Sequence, residues 1–423
     1  MGLSPLPWRL LAWGALGVAL HVGLARFGYG VVLPSLRNEL GLGYTAGGVL
    51  NALHLAGYLT GTLLGPALAR RIGMARMARW AHGLVAAGAL LCALAPISPL
   101  LGVALFGLGR LASGLGAGPA VIAIMVSVMA GVAEPSRAAA SVLMWTGMAA
   151  AILACGLGAP WLLQPGEWRW VFAAAAALAL VLAWGLPVPT ALAGPTASPS
   201  SGPTSSPSSG PTSSPPSAPP AAPAFGPPAG GAGFTLASVA TGRWAWLVAT
   251  YACFGLGYIA YATFAGTRMA ASAAPVAVVA LTWSTLGLAT LGGSATTLYL
   301  LGRPAWRAHA LPLAMALASA GCAVAALASA AAALLGAALV GLGMAAIPAL
   351  VTAAARARSS AADYARAFSI ATAAMGLGQL AGPVLAGALA DRFGSAAAPL
   401  FAAAAYGLGA LLASMDSRWR AER

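Results

Sequence analysis

The chain has 423 residues, of which 60% are hydrophobic and only 7% charged, and its mean hydropathy is +0.86. Soluble domains carry about 25% charged residues, so this composition excludes an ordinary soluble protein. The net charge of +14 comes from arginine alone, and most arginines fall between apolar stretches rather than in a nucleic-acid-binding patch. Nucleic acid is therefore not an expected partner, whereas a lipid bilayer is.

Twelve apolar stretches recur along the chain, each near the length of about 20 residues with which a helix crosses a bilayer core. The first stretch is too long for the apolar core of a cleavable signal peptide and is interpreted as a membrane span. The predicted spans are 10–34, 45–69, 80–97, 100–131, 138–163, 168–187, 243–267, 274–301, 309–328, 331–354, 366–390 and 395–415.

Arg26 lies inside the first span, within HVGLARFGYG at 21–30. A charged side chain deep in a membrane helix is costly and usually faces a cavity or a partner. All seven acidic residues lie in loops or near span ends, so no carboxylate in mid-span is available to pair with Arg26. Contact with an anionic ligand is predicted. Snorkelling to the outer interface, or a hydrogen bond to Asn51 or Gln379, is the alternative.

The second span carries polar side chains on one helical face, because Asn51, His54, Tyr58 and Thr62 are spaced by three, four and four residues. A polar stripe in a span normally faces the protein interior, so Asn51, His54 and Tyr58 are predicted to contact the substrate. His54 is the candidate proton site, since histidine titrates near neutral pH. A single interhelical hydrogen bond is the alternative role for His54.

The composition changes between spans six and seven. Residues 194–234 are mostly Pro, Ser, Gly, Thr and Ala without charge, and SSGPTSSP occurs at both 200–207 and 208–215. Such a segment predicts a disordered tether. The predicted organisation is an N-terminal six-helix half at 1–190, a cytoplasmic linker at 191–240 and a C-terminal six-helix half at 241–423.

The two halves resemble each other in sequence. GLARFGYGVV at 23–32 aligns with GLGYIAYATF at 255–264, which sets Tyr258 opposite Arg26 and Tyr261 opposite Tyr29. Weak symmetry between six-span halves is typical of transporters whose site lies between the repeats. Tyr29, Tyr258 and Tyr261 are therefore predicted to shape the pocket, with plain packing as the alternative.

The arginines predict the orientation of the spans. Of the 21 arginines, 15 fall on the side of the two termini, two lie within spans, and four fall on the other side: Arg37, Arg169, Arg268 and Arg392. Short cytoplasmic loops carry the excess of positive charge. We expect a multi-pass protein of the inner membrane with both termini in the cytoplasm.

Signatures of enzymes and of metal sites are missing from the sequence. The four cysteines show no metal-ligand spacing, and no HExxH, phosphate-loop or GxSxG motif occurs. The sequence predicts no catalytic residue, no metal and no cofactor, and therefore not an enzyme.

Four motifs give the chain a resemblance to the major facilitator superfamily (MFS). They are GPALARRIGMARMAR at 65–79, RLASGLGAG at 110–118, GEWRWVF at 166–172 and GLGQLAGPVLAGALADRFG at 376–394. Within the superfamily, RFGYGVVLPSLRNELGLGY at 26–44 and GLGYIAYATF at 255–264 are most similar to the YbfB/YjiJ-type branch.

The resemblance implies an all-α integral membrane protein, with twelve transmembrane helices in two pseudo-symmetric six-helix halves and a monomeric state. It implies a coupling or conformational role for Arg110, Gly114, Gly65 and Gly73. It adds three candidates for the cavity lining, which are Trp145, Trp283 and Gln379. Arg70 stands where the family's loop-two motif has an acid, so the family's electrostatic latch cannot form here by the same contacts.

The resulting prediction is a secondary transporter that moves a small anionic, carboxylate-bearing organic solute by alternating access. Arg26 would contact the anionic group, because a guanidinium binds a carboxylate through two parallel hydrogen bonds. Two alternatives stay open: efflux of neutral amphipathic compounds with a structural Arg26, and a non-transporting receptor on the same fold. A proton is the candidate coupling ion.

Overall fold

The computed structural model describes residues 7–185 and 244–421, apart from residues 99, 134–135, 302–305, 307, 328 and 358–360. The described chain is helical throughout, connected by short turns. The predicted linker at 191–240 and the domain limits at 190 and 241 lie outside the described residues.

Twelve helices follow one another, as the sequence predicts. Eight of these helices are long and apolar enough to cross a membrane. In chain order, α1 to α12 are Trp8–Leu40, Tyr44–Ile72, Met74–Ala93, Leu101–Gly131, Arg137–Leu162, Arg169–Trp184, Ala245–Ala271, Val276–Leu301, Ala310–Ala325, Ala330–Arg356, Ala361–Phe393 and Ala397–Ala421.

Helix α1 is irregular in its middle. The segment Ala19–Gly28 is π-helical and joins two α-helical parts, Trp8–Val18 and Tyr29–Leu40. Long π-helical segments are rare, and short ones are frequent at functional sites. The segment contains Arg26, so the charge that the sequence places in mid-span sits on the least regular part of the helix.

Small residues let the helices of each half approach closely. In the N-terminal half, Gly114 of α4 packs on the backbone of α2 at His54, and Gly118 packs on Tyr58 and Thr62. Gly116, on another face of the same helix, packs on α3 at Ala81. Side chains at these glycines would separate the helices, since membrane helices pack mainly through such backbone approaches.

The bundle has two ends, which we name by their connections. The linker face carries the beginning of α1, the end of α6 and the turn between α2 and α3 at Gly73. The loop face carries the turn Gly41–Gly43, residues 163–168 and the turn at Gly394.

The two halves touch mainly toward the loop face. Gly30 of α1 packs on the carbonyl of Ala262 in α7, Gly48 of α2 packs on Pro383 in α11, and α5 and α8 meet at Gly156. In the described part of the chain, α4 and α10 pack chiefly within their own halves. The recorded close backbone contacts between the halves are therefore concentrated toward the loop face.

Candidate functional site

Arg26 lies between the two halves in the middle of the bundle, with 6% of its surface exposed. Its Nη1 donates to the hydroxyl of Tyr258 at 2.7 Å and to Oε1 of Gln379 at 3.4 Å. The guanidinium carbon also lies 4.6 Å from the ring centre of Tyr58. One N-terminal arginine thus contacts two helices of the C-terminal half, and we call these four residues the Arg26 cluster.

The charge of Arg26 has no ionic partner among the described side chains. The acids whose side chains are described, Glu39, Glu167 and Asp391, all lie at the loop face. Nε of Arg26 is buried without a hydrogen-bond partner in the described structure. The site therefore holds a buried cation with a free donor, neutral hydrogen-bond partners and a second arginine, Arg110, close enough to repel it, which is chemistry suited to an anionic ligand.

A second polar network lies beside the first. Arg110 of α4 donates from Nη2 to Oδ1 of Asn51 at 2.7 Å and from Nη1 to the carbonyl of Ala25 at 2.8 Å. Asn51 in turn donates from Nδ2 to Oγ1 of Thr263 in α7 at 2.7 Å. Arg110 thus fixes the π-helical segment next to Arg26, and Asn51 carries the connection into the C-terminal half.

Some of the predicted site residues lie in these two networks, and the others lie elsewhere in the bundle. Arg26, Tyr58, Tyr258 and Gln379 come together, and so do Asn51 and Arg110. The sequence repeat that sets Tyr258 opposite Arg26 corresponds to a direct hydrogen bond. Of the two hydrogen-bond partners named as alternatives for Arg26, Gln379 is one, while Asn51 bonds Arg110 instead.

Tyr29 and Tyr261 lie outside the Arg26 cluster. The Tyr29 hydroxyl donates to the carbonyl of Gly47 at 2.7 Å, and its ring lies under the guanidinium of Arg110 at 4.5 Å. Tyr261 is buried toward the loop face of the C-terminal half, where it lines a small cavity with Arg268. Both tyrosines pack helices, which is the alternative that the sequence left open.

Three further candidates form no bond with the cluster in the described structure. His54 is fully buried, and neither ring nitrogen has a partner there. Trp283 is buried against Gly30, where α1 and α8 meet. Trp145 is 41% exposed and lies about one turn from Met148, toward the linker face. A role for these three in binding stays a prediction.

The three glycines predicted to have a coupling or conformational role lie at a helix end or at a contact between helices. Gly73 has φ +83° and separates α2 from α3, so a side chain there would be strained. Gly65 packs on Pro119 and Ile122 of α4, and Gly114 packs on His54 of α2.

Sequence reasoning missed two residues that connect the halves. Thr263 accepts from Asn51, and the Asp391 carboxylate accepts from Tyr44 and Thr45 at the loop face. Thr263 lies in GLGYIAYATF, so the repeat alignment offered a signal for it. Asp391 accepts from backbone N–H groups. Nearly every residue carries such a group, so the sequence gives no signal for this contact.

A family model described as uncharacterised MFS-type transporter YbfB matches residues 18–210 and 229–415. The chain belongs to this family. This YbfB-type chain is thus an MFS-type membrane transporter and not an enzyme, and no curated protein matches its sequence.

Solved structures share the fold at low sequence identity. The nucleoside transporter NupG in its D323A form matches with TM-score 0.73 at 13% identity, covering 97% of this chain and 100% of that chain. A D-xylose-proton symporter matches with TM-score 0.71 at 16% identity, covering 97% of each chain. A bacterial homolog of the human lysosomal transporter Spinster, inward-facing and unoccupied, matches with TM-score 0.70 at 16% identity, covering 98% of each chain.

Proposed function

We propose that this YbfB-family transporter moves a small carboxylate-bearing organic anion by secondary active, alternating-access transport. The observation that carries the proposal is Arg26, a buried guanidinium between the halves whose described hydrogen-bond partners are neutral. Burying an uncompensated charge is costly, and an anionic ligand removes that cost while binding. The free Nε donor offers a direct attachment point for a carboxylate oxygen.

The position of Arg26 connects ligand binding with movement of the halves. Arg26 belongs to the N-terminal half, whereas Tyr258 and Gln379 belong to the C-terminal half. A carboxylate on the guanidinium would compete with the long 3.4 Å bond to Gln379 before the 2.7 Å bond to Tyr258. Ligand occupancy would therefore alter the contact between the halves, as rocking around a central site requires.

The proposed orientation follows from the arginines. Because short cytoplasmic loops carry the excess of positive charge, we propose that the linker face lies on the cytoplasmic side of the inner membrane. The Arg26 cluster is buried between halves that pack closely at the loop face, so alternating access would require the halves to separate at the linker face for a cytoplasmic solute to reach it.

A ligand screen on purified protein tests the proposal. Small carboxylates, phosphates, neutral metabolites and hydrophobic cations are compared by thermal shift on wild type, Arg26→Gln and Arg268→Gln. The control is Arg268→Gln, which removes the same charge at a position away from the cluster. Arg268 donates there to the carbonyl of Ala326. A ligand at one hundred times its Kd stabilises by about 2.7 kcal/mol, so one carboxylate class should raise Tm in wild type and the control only.

Flux in proteoliposomes then separates the alternatives. The stabilising carboxylate should exchange across the membrane in wild type and not in Arg26→Gln. An unchanged response of a folded Arg26→Gln would make Arg26 structural and favour neutral amphipathic substrates. Binding without any flux would instead favour a receptor.

A further inference from the structure

The turn between α2 and α3 carries a dense positive charge, and no acid lies beside it among the side chains that the structure describes. Arg70, Arg71, Arg76 and Arg79 are all exposed at the linker face. No acidic residue occurs in the sequence between Glu39 and Glu134. Helix α3 packs chiefly on α4 and α6, neither of which contains an acid. This charge is therefore available to a ligand from outside the chain.

Two of these arginines form a concave site with an aromatic side chain. Arg76, Arg79 and Trp80 line an open cavity of about 320 Å³ in the first turns of α3. Residues three and four apart lie on one helical face, so both guanidinium groups and the indole point to the same side. Trp80 is 73% exposed, and such a tryptophan is typical of the boundary between a bilayer and water.

An apolar stripe continues from this site into the membrane-spanning part of α3. Leu84, Ala87, Leu90 and Leu94 are exposed at helical spacing on the side that begins with Trp80. The cation pair thus sits at the head of a surface that acyl chains can cover. That continuity distinguishes a lipid from free phosphate, which would gain nothing from the leucines.

We propose that Arg76, Arg79 and Trp80 form a binding site for an anionic phospholipid of the leaflet at the linker face. The two guanidinium groups would bind the phosphate oxygens, because arginine matches phosphate geometry through paired hydrogen bonds. The Trp80 ring would pack on the glycerol region, and the tails would lie along the leucines. This site is separate from the Arg26 cluster and does not depend on the transported solute.

Native mass spectrometry of the full chain in detergent tests the site with three probes: phosphatidylglycerol, phosphatidylcholine and inorganic phosphate. The variant Arg76→Gln/Arg79→Gln is compared with Arg70→Gln/Arg71→Gln, which removes the same charge next to the cavity but outside its lining. We expect at least tenfold preference for phosphatidylglycerol over phosphatidylcholine in wild type. The first variant should lose that preference, and the control should change less than twofold.

Three outcomes would overturn the proposal. Equal losses in both double variants would mean diffuse attraction by the whole turn, and phosphate binding as tight as phosphatidylglycerol would mean a simple anion site. Equal binding of both lipids by wild type would mean that the charge selects no lipid. Should Arg76→Gln/Arg79→Gln fail to fold, Arg79→Gln and Trp80→Leu are measured separately, and each must weaken phosphatidylglycerol binding.

Discussion

The two ends of the molecule carry similar sequence stretches that differ in the sign of the charge at one position. ALARRIG at 67–73 ends α2 at the linker face, and ALADRFG at 388–394 ends α11 at the loop face. Each stretch closes its helix with a glycine of positive φ, Gly73 at +83° and Gly394 at +88°. The second stretch has Asp391 where the first has Arg70, and this one difference changes what the helix end can bind.

Asp391 joins the halves at the loop face. Its Oδ1 accepts from the Tyr44 N–H at 2.7 Å, and its Oδ2 accepts from the Thr45 N–H at 2.8 Å and the Thr45 hydroxyl at 2.6 Å. These N–H groups begin α2, where the helix dipole favours a negative charge. Arg70 has the wrong charge for the equivalent contact, so the clamp formed by Asp391 at the loop face has no counterpart at the end of α2.

The largest effect is expected from filling a glycine contact toward the loop face. In Gly30→Val the new side chain would collide with the carbonyl of Ala262, and overpacking costs about 3 kcal/mol at its upper end. Such a cost shifts the ratio of closed to open loop faces about 150-fold. Spin labels on Leu42→Cys and Ser395→Cys, one in each half, should report a longer distance. Labelling is selective because all four native cysteines are buried.

The matched control for this change is Gly83→Val in α3. A Cβ at Gly83 meets nothing within 4 Å, so helix propensity changes without a collision. If both variants shift the label distance alike, close packing at Gly30 does not seal the loop face.

The next effect is expected from Asp391→Ala. This change removes three hydrogen bonds to the beginning of α2, and loss of a capping side chain costs about 1 to 2 kcal/mol at an exposed position. The ratio of closed to open loop faces should fall about five- to thirtyfold, measured with the same label pair. Asp391→Asn keeps an acceptor oxygen without the charge and should fall between wild type and alanine. If neither substitution changes the label distance, the hydrogen bonds to Asp391 do not hold the loop face closed.

A smaller effect is expected from the buried connection between the halves. Thr263→Val keeps the side-chain shape but removes the acceptor for Asn51, and one neutral hydrogen bond contributes about 1 kcal/mol. The ratio of closed to open loop faces should fall about fivefold. Thr267→Val is the control, because the Thr267 hydroxyl bonds only within α7, to Phe264. Equal effects of the two substitutions would show that the Asn51 contact does not hold the halves together.

The architecture could be predicted from the sequence because each helix is indicated by the length and hydropathy of its own stretch of chain. Span length and hydropathy predict twelve helices, and the repeat alignment pairs Arg26 with Tyr258. The alignment also sets Tyr29 opposite Tyr261, but an alignment does not give the direction of a side chain. In a regular α-helix Tyr29 would lie about 60° from Arg26 around the helix axis. The π-helical segment Ala19–Gly28 ends between Arg26 and Tyr29 and widens that angle. The partner of Asp391 could not be predicted, since it is backbone at the start of another helix.

The smallest effect is expected from placing an acid at the end of α2 on the linker face. Arg70→Asp makes the end of α2 match the end of α11, and a negative charge there would face the beginning of α11 whenever the linker face closes. A charge near a helix terminus contributes about 0.3 to 1 kcal/mol, so closure should rise about twofold. Labels on Ala75→Cys and Ala357→Cys, one in each half, measure it. Arg71→Asp makes the same charge change one residue away and should leave the distance unchanged. If Arg71→Asp changes the label distance as much as Arg70→Asp does, the net charge of the turn controls closure. The position aligned with Asp391 would then have no special role.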